Sequence, residues 1–272
     1  MDDPLDTLQG KVALVTGAAG AIGAGICHSL LARGVHVAAT DLAAGRLDSL
    51  AQEVGQDGGE LLAVSMDVTD PLSVSAGFEA TVSRWGRLDI VIVNAGIAMV
   101  APLVDMDLEA FRAVSRVNVE GTLLTLAEAG RRFRDGGGGG DIVLVSTKNV
   151  FSPGAQFGAY SATKAAAHQL GRIASLEFAP YGVRVNMVAP DAVFGRGDRR
   201  SGLWQEVSPS RMRARGMDEQ GLEDYYRDRN LLKARVTPED VARAVLFFVS
   251  RQTPTTGATI PVDGGLPDST PR

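Results

Sequence analysis

Tyr160 and Lys164 stand four positions apart at the start of an Ala-rich run, ATKAAAHQLGRIASL, whose composition predicts a helix. At that spacing a phenol and an ammonium share one helical face. A free phenol, with a pKa of about 10, is a poor base at neutral pH until a fixed cation and hydrogen-bond donors favour the phenolate. Lys164 supplies the cation. Ser146 or Thr147, at the end of the apolar run IVLV, supplies a hydroxyl donor to the phenol or to a substrate oxygen. The residues alone leave the choice between those two hydroxyls open. Tyr-x-x-x-Lys also occurs as an ordinary exposed helix pair contributing a few tenths of a kcal/mol, so its meaning depends on what positions it.

The elements that would position it alternate strand and helix along the chain. KVALVT (11–16) reads as a strand, and GAAGAIGAGICHSLLARG behind it as a turn entering a helix. In such a turn Gly17 and Gly20, with Ala21 and Ile22, let backbone N–H groups approach a pyrophosphate, while Gly23 permits close helix packing. A second strand, VHVAAT, ends at Asp41, placed to accept hydrogen bonds from an adenosine ribose and to repel a 2′-phosphate. Leu42 follows where a basic residue would meet that phosphate, so the expected cofactor is NAD rather than NADP, with Arg46 as the one contrary residue. Asp67 and Val68 are expected to close a third strand and Pro71 to open a third helix. DIVIVNAG (89–96) predicts a fourth strand whose Asn94, Ala95 and Gly96 leave room for a flat ligand.

From Asp107 to Phe133 the apolar spacing predicts one long helix, yet Asn118 and Gly121 sit inside it where propensity disfavours both. Gly136 to Gly140 read as a flexible connection into a fifth strand, DIVLVS, and GVRVNMVAP as a sixth. Residues 191–236 are polar, rich in Arg and Asp, and dotted with Phe194, Trp204, Tyr225 and Tyr226; they predict a lid of short helices over a substrate site. Thr-Pro-Glu at 237–239 starts a last helix, and GATIPVDGG is a last strand. Seven strands alternating with six helices predict one α/β domain over 1–272, a doubly wound, seven-stranded parallel sheet binding its ligand beyond the strands' carboxyl ends.

Composition narrows the partners. A formal charge of −5 and a pI near 5.3 give no basic surface for nucleic acid. One cysteine, Cys27, excludes an internal disulfide, and His28, His36 and His168 lack the spacing of metal ligands. No apolar run is long enough to span a membrane and the start of the chain has no signal-like segment, so a cytoplasmic location is expected.

Taken together, the residues from about 8 to 266 resemble the short-chain dehydrogenase/reductase family: Thr16-Gly17 with Gly23, Asp41, Asp67-Val68, Asn94-Ala95-Gly96, Asn118, Tyr160-x-x-x-Lys164 and Val262-Asp263-Gly264-Gly265 fall in its order and spacing. The resemblance implies that Tyr160 transfers the proton, that Lys164 holds the nicotinamide ribose and lowers the tyrosine pKa, and that Asn118 shapes a water path to the lysine. It implies a homotetramer, and Pro190, Ala192 and Val193 beside the cofactor. By register the family's catalytic serine falls on Thr147. The family's Pro-Gly-x-x-x-Thr reads Pro190-Asp191-Ala192-Val193-Phe194-Gly195, without the threonine. The run STKNVFSPGAQFGAYSATKAA is further similar to the dehydrogenase half of bacterial bifunctional rhamnulose-1-phosphate aldolase/alcohol dehydrogenases. That likeness implies small polyhydroxylated or hydroxyaldehyde-type substrates, with Lys148, Asn149 and Asp191 as polar contacts and Phe194 and Trp204 near them. The expected activity is NAD-linked interconversion of a secondary alcohol and a carbonyl. Its rivals are an NADPH-dependent ketoreductase and a catalytically idle NAD-binding scaffold.

Overall fold

A computed structural model describes residues 7–54, 59–195 and 202–267. Residues 1–6, 55–58, 268–272 and, within the predicted lid, 196–201 lie outside the described residues. Seven strands form one parallel sheet in the order β3-β2-β1-β4-β5-β6-β7. They are β1 (Val12–Thr16), β2 (His36–Asp41), β3 (Leu61–Ser65), β4 (Ile90–Val93), β5 (Gly140–Val145), β6 (Val183–Pro190) and β7 (Thr259–Val262). The apolar runs VALVT, IVIV and GDIVLV are buried along their whole length, as central strands covered on both faces must be. The edge strands β3 and β7 are only partly covered. Asp67 and Val68, expected to end β3, lie in the turn beyond it.

Helices α1 (Ala21–Leu31), α2 (Ala44–Glu53) and α9 (Pro238–Val249) cover one face through Ile26, Leu30, Leu47, Val241 and Val245. On the other face α3 (Pro71–Trp85), α5 (Gly121–Gly136) and α6 (Gly158–Glu177) bury Phe78, Leu126, Phe133 and Ala174. Local chemistry sets several helix ends. The Asp70 carboxylate accepts from Leu72 N–H ahead of Pro71, and Thr237 and Asp240 form a reciprocal capping box on α9. Between β1 and β4 the strand order reverses, which opens a crevice at their carboxyl ends.

Two expectations need correction. The segment from Asp107 to Phe133 is not one helix: α4 (Leu108–Ser115) passes through a π-turn at Arg116–Glu120 into α5, with Gly121 N–H bonded to the Arg116 carbonyl. The glycine tract is not a loose connection either. Gly136 is the last residue of α5, Gly137 caps it in the left-handed region, and Gly140 already belongs to β5. A Cβ on Gly139, itself at φ 65°, would stand 2.5 Å from the Gly182 carbonyl oxygen, so close packing accounts for the glycine there.

The excursion between β6 and α9 is tied at its base by a parallel bridge between Val193 and Val236. Helices α7 (Gly202–Arg215) and α8 (Glu219–Asp228) fill it, joined by a cluster of Phe194, Trp204, Leu222 and Tyr226. Rings meet edge to face at 5.2 Å for Phe194 and Trp204 and at 5.5 Å for Trp204 and Tyr226.

Candidate active site

A cavity of about 420 Å³ lies in the crevice, lined at one end by Gly17, Gly20, Ala21, Ile22, Gly23, Asp41 and Leu42 and elsewhere by Asp67, Val68, Asn94, Ala95 and Gly96. Ser146, Thr147, Tyr160, Lys164, Pro190 and Val193 line it as well. Sequence reasoning missed Met66, Ile97, Ala98 and Val117, apolar residues with no chemical signature. Ala192, expected here, lines a neighbouring pocket instead.

The glycine-rich turn is built for close approach. Gly17 sits at φ 64°, and a Cβ on it would be 2.9 Å from the Ala95 Cα; one on Gly23 would be 2.2 Å from the Gly17 carbonyl oxygen. Gly20 caps α1 with no side-chain hydrogen bond, so the first-turn N–H groups of that helix stay available to an anion. Thr16 and Asn94 hold the turn: the Thr16 hydroxyl accepts from Asn94 N–H at 2.9 Å and Ala95 N–H at 3.0 Å, while the Asn94 amide donates to the carbonyls of Thr16 and Gly17. Asp41 accepts from Ala19 N–H at 3.1 Å and Ala43 N–H at 3.0 Å, one to each oxygen, which leaves lone pairs for a diol. Glycines that tolerate no Cβ, an uncapped helix start and a half-satisfied carboxylate fit a nicotinamide dinucleotide. Arg46 lines the same cavity.

At the other end β5 delivers two hydroxyls in succession, and the fold separates them. Thr147 places its hydroxyl beside the Tyr160 phenol, whose ionised form it favours. Ser146 lines the cavity too, but its hydroxyl is 2.9 Å from the His168 ring. Sequence left these two open because neighbours in a strand end look alike until the strand's two faces are known. His168, which lacks the spacing of a metal ligand, is the partner that takes Ser146. Lys164 donates to the Val145 carbonyl at 3.0 Å. Asn118 lies behind the cavity wall, nearly wholly buried, where the π-turn aims its amide at α6 and at the β4 exit. Its Oδ1 accepts from Ile97 N–H at 2.9 Å, and its Nδ2 donates to the Ile97 carbonyl and to Thr163, the neighbour of Lys164. Gly121 is equally specific, since a Cβ there would meet Val68 at 2.8 Å. Both residues that helix propensity disfavours are therefore explained by contacts.

Burial dominates the charges. It pushes the Tyr160 phenol up to about 12, aided by the nearby Asp191 carboxylate and opposed by the Thr147 hydrogen bond. It brings Lys164 down to about 8. Two buried groups that both resist ionisation mark a proton-handling site more than a structural ion pair.

A second pocket, about 130 Å³, shares Thr147, Asp191 and Val193 with the first and is otherwise lined by Lys148, Asn149, Trp204 and residues of α7 and α8. Asp191 is taken by Arg229 at 2.7 Å, and Phe194 lines neither space but packs on Trp204. Sequence reasoning did not single out Arg211, Arg215 and Arg229. Their signal was the four-residue spacing of Arg211 and Arg215 in RMRAR and the pattern YYRDR.

Comparison with known proteins agrees with this geometry. Residues 11–202 match the family described as short chain dehydrogenase, and residues 204–267 that described as enoyl-(acyl carrier protein) reductase. The chain is 37% identical over 260 residues to the uncharacterized oxidoreductase YuxG of Bacillus subtilis, covering 94% of this chain but 37% of that protein's length. It is 36% identical over 186 residues to D-threitol dehydrogenase of Mycolicibacterium smegmatis, 68% of this chain and 71% of that one. Among solved structures, 3-ketoacyl-(acyl-carrier-protein) reductase from Brucella melitensis complexed with NADH superposes with a TM-score of 0.82 at 27% identity, covering 95% of this chain and 98% of that one.

Proposed function

The chain belongs to the short-chain dehydrogenase/reductase family, and from that premise we propose that it is an NAD-dependent dehydrogenase interconverting a secondary alcohol of a small polyol, sugar or hydroxyaldehyde with its carbonyl. One observation carries the proposal: Thr147, Tyr160 and Lys164 converge on the same cavity as the glycine turn and Asp41. When bound there, a nicotinamide dinucleotide supplies the acceptor or donor of the hydride.

The protein's own residues divide the remaining work. The turn from Gly17 to Gly23 and the start of α1 hold the pyrophosphate, and Asp41 binds the adenosine ribose and disfavours a 2′-phosphate. Tyr160 moves the proton at the reacting oxygen. Its phenol, held protonated by burial, is suited to protonate a carbonyl, whereas in the oxidative direction it must first ionise. Thr147 donates a hydrogen bond at the same oxygen, where charge develops. Lys164 offers its ammonium to the nicotinamide ribose and to an ionised phenol. Asn118 ties the exit of β4 to α6 and so fixes where Lys164 stands. Helices α7 and α8 form the lid. The narrower likeness to rhamnulose-1-phosphate aldolase/alcohol dehydrogenases remains a reading of the sequence, because the relatives above carry other names. The name of the threitol enzyme favours a polyol.

The NADPH ketoreductase is the second reading, favoured by Arg46 in the cavity wall. Assay of polyols, aldoses and hydroxy acids with NAD and NADP separates them. NAD-linked oxidation that is lost in Tyr160→Phe is expected, and Asp41→Ala should erode the preference for NAD. Equal use of both cofactors by the parent sinks the cofactor assignment; full activity in Tyr160→Phe sinks the mechanism. A homotetramer is proposed as well, with the exposed Leu123, Ile173 and Leu176 of α5 and α6 at its contacts. Light scattering that finds a monomer at micromolar concentration contradicts it.

A further inference from the structure

Many arginines outside the second pocket meet carboxylates: Arg84 with Glu60, Arg87 with Asp89, Arg132 with Glu128, Arg184 and Arg251 with Asp141. The pocket is lined by Lys148, Arg211, Arg215 and Arg229, and among its described lining residues Asp191 is the single carboxylate. Arg229 engages it. Among the described residues neither Arg211 nor Arg215 pairs with an acid.

These cations are held by groups that do not neutralise them. The Arg211 guanidinium donates to the Ala155 carbonyl at 3.2 Å and lies 5.2 Å from the Phe157 ring centre. Arg215 lies 4.6 Å over Tyr225 and Arg229 4.2 Å over Tyr226. The Nε atoms of Arg211 and Arg229 are buried without a hydrogen-bond partner, as is the Asn149 side-chain oxygen beside them. A buried unused donor on a charged group is destabilising unless a ligand takes it. Lys148 donates to the Ser152 carbonyl; burial lowers its pKa, the Asp191 carboxylate opposes that, and the charges of Arg229 and Arg211 add to the lowering. Like charges crowded in this way favour an incoming anion.

The position relates the cluster to the chemistry. Thr147 lines both cavities, and Phe157 stands between them, its ring 6.4 Å from Tyr160 and 5.2 Å from the Arg211 guanidinium. We propose that this pocket receives an anionic end, phosphate or carboxylate, of the alcohol whose carbinol lies at Tyr160, so that the preferred substrate is a sugar or polyol phosphate or an aldonate, not a neutral polyol. The inference rests on the dehydrogenase reading above. Arg211, Arg215 and Lys148 are the recognising groups, Arg229 is shared with Asp191, and Asn149 accepts from a substrate hydroxyl.

Two experiments test it, and they fail separately from the dehydrogenase reading. The first compares kcat/KM for polyols of several chain lengths with their terminal phosphates and the matching aldonates. At the best chain length an anionic compound is expected to exceed the neutral one by roughly 30-fold or more, the size of one or two charge-assisted hydrogen bonds. That ratio should collapse in Arg211→Gln through KM rather than kcat and partly return in Arg211→Lys. Preference for phosphate or for carboxylate tells the two anions apart. The second titrates inorganic phosphate into Trp85→Phe protein and reads the fluorescence of Trp204, which lines the pocket. Saturable quenching is expected in the parent and weaker binding in Arg211→Gln and Arg215→Gln, whose circular dichroism checks their folding. Neutral polyols used as well as their anions, or phosphate that leaves Trp204 unchanged, overturns the proposal. If no alcohol is oxidised at all, the dehydrogenase reading fails and the phosphate titration still decides whether an anion site exists.

Discussion

The two ends of the cleft are made of different materials. At the turn between β1 and α1 the working surface is backbone: Gly17 and Gly23 have no room for a Cβ, the Asn94 amide is spent on the turn's own carbonyls, and the Thr16 hydroxyl on the exit of β4. At α7 and α8 the working surface is side chain, with arginines laid on aromatic rings and few regular contacts to the sheet. The first region binds what any dinucleotide offers, a pyrophosphate and a ribose, and a fixed cradle suffices. In the function proposed above the second would select the substrate, and changeable side chains serve that better. Thr147 stands where the two meet, with Tyr160 and Lys164 on the first cavity's side.

If that division holds, removing a functional group should harm chemistry and adding an atom should harm the cradle. The largest effect is expected for Tyr160→Phe, which should lower kcat by roughly 10³ to 10⁴ while NAD affinity, read by fluorescence titration, stays nearly constant. Thr147→Val should cost about 2 to 4 kcal/mol in kcat if its hydroxyl faces developing charge, and Ser146→Ala, which disturbs only the His168 contact, distinctly less. A larger loss in Ser146→Ala would reverse the assignment.

Lys164→Met should move stability and activity in opposite directions. Burial lowers the lysine from 10.5 to about 8, so the folded state binds fewer protons than the unfolded state between those values. Wild-type stability therefore rises with pH across that window, and below about pH 8 the buried ammonium costs about 3 kcal/mol. The variant should be inactive but melt higher at pH 7, with the advantage gone near pH 10.5; calorimetry at both pH values checks it. The same pKa predicts that carbonyl reduction by the parent falls as pH rises through about 8, because the ammonium is lost while Tyr160, at about 12, remains a phenol. A flat reduction profile from pH 7 to 10 would remove Lys164 from that step.

Gly23→Ala tests the cradle directly. Its Cβ would meet the Gly17 carbonyl oxygen at 2.2 Å, so α1 must shift, and NAD affinity should fall by roughly 10- to 100-fold with the unfolding temperature also lowered. The smallest effect sharpens the contrast from the other side. Trp204→Leu opens the α7–α8 cluster and should raise substrate KM, yet leave NAD affinity unchanged within about twofold, since distant sites are close to additive.

Much of this molecule was readable along the chain, for local reasons. Unbroken apolar runs such as IVIV can be satisfied only in the middle of a sheet, a strand entering a glycine turn and a helix has a strong geometric meaning, and the Tyr160–Lys164 spacing acts within one helix. The cap signals at Asp70 and Thr237 are local in the same way. What the sequence by itself determined was therefore the order of elements, the parallel sheet and the residues at its carboxyl edge.

The tertiary structure decided whatever depends on facing, crowding or convergence. Whether Ser146 or Thr147 meets Tyr160 follows from where the chain beyond β5 leaves each hydroxyl along α6, Ser146 beside His168 and Thr147 beside Tyr160. The break at Asn118 follows from a clamp to Ile97 and Thr163, both far along the chain, and the glycines at 139 and 140 from contacts with Gly182 and Phe133. The tyrosine's resistance to ionising is a property of burial, which no spacing announces. Arg211, Arg215 and Arg229, spread over two helices in an apparently solvated polar stretch, become one cationic pocket only after α7 and α8 fold back over Asp191 and Thr147, because charge density is set by distance in space and not along the chain.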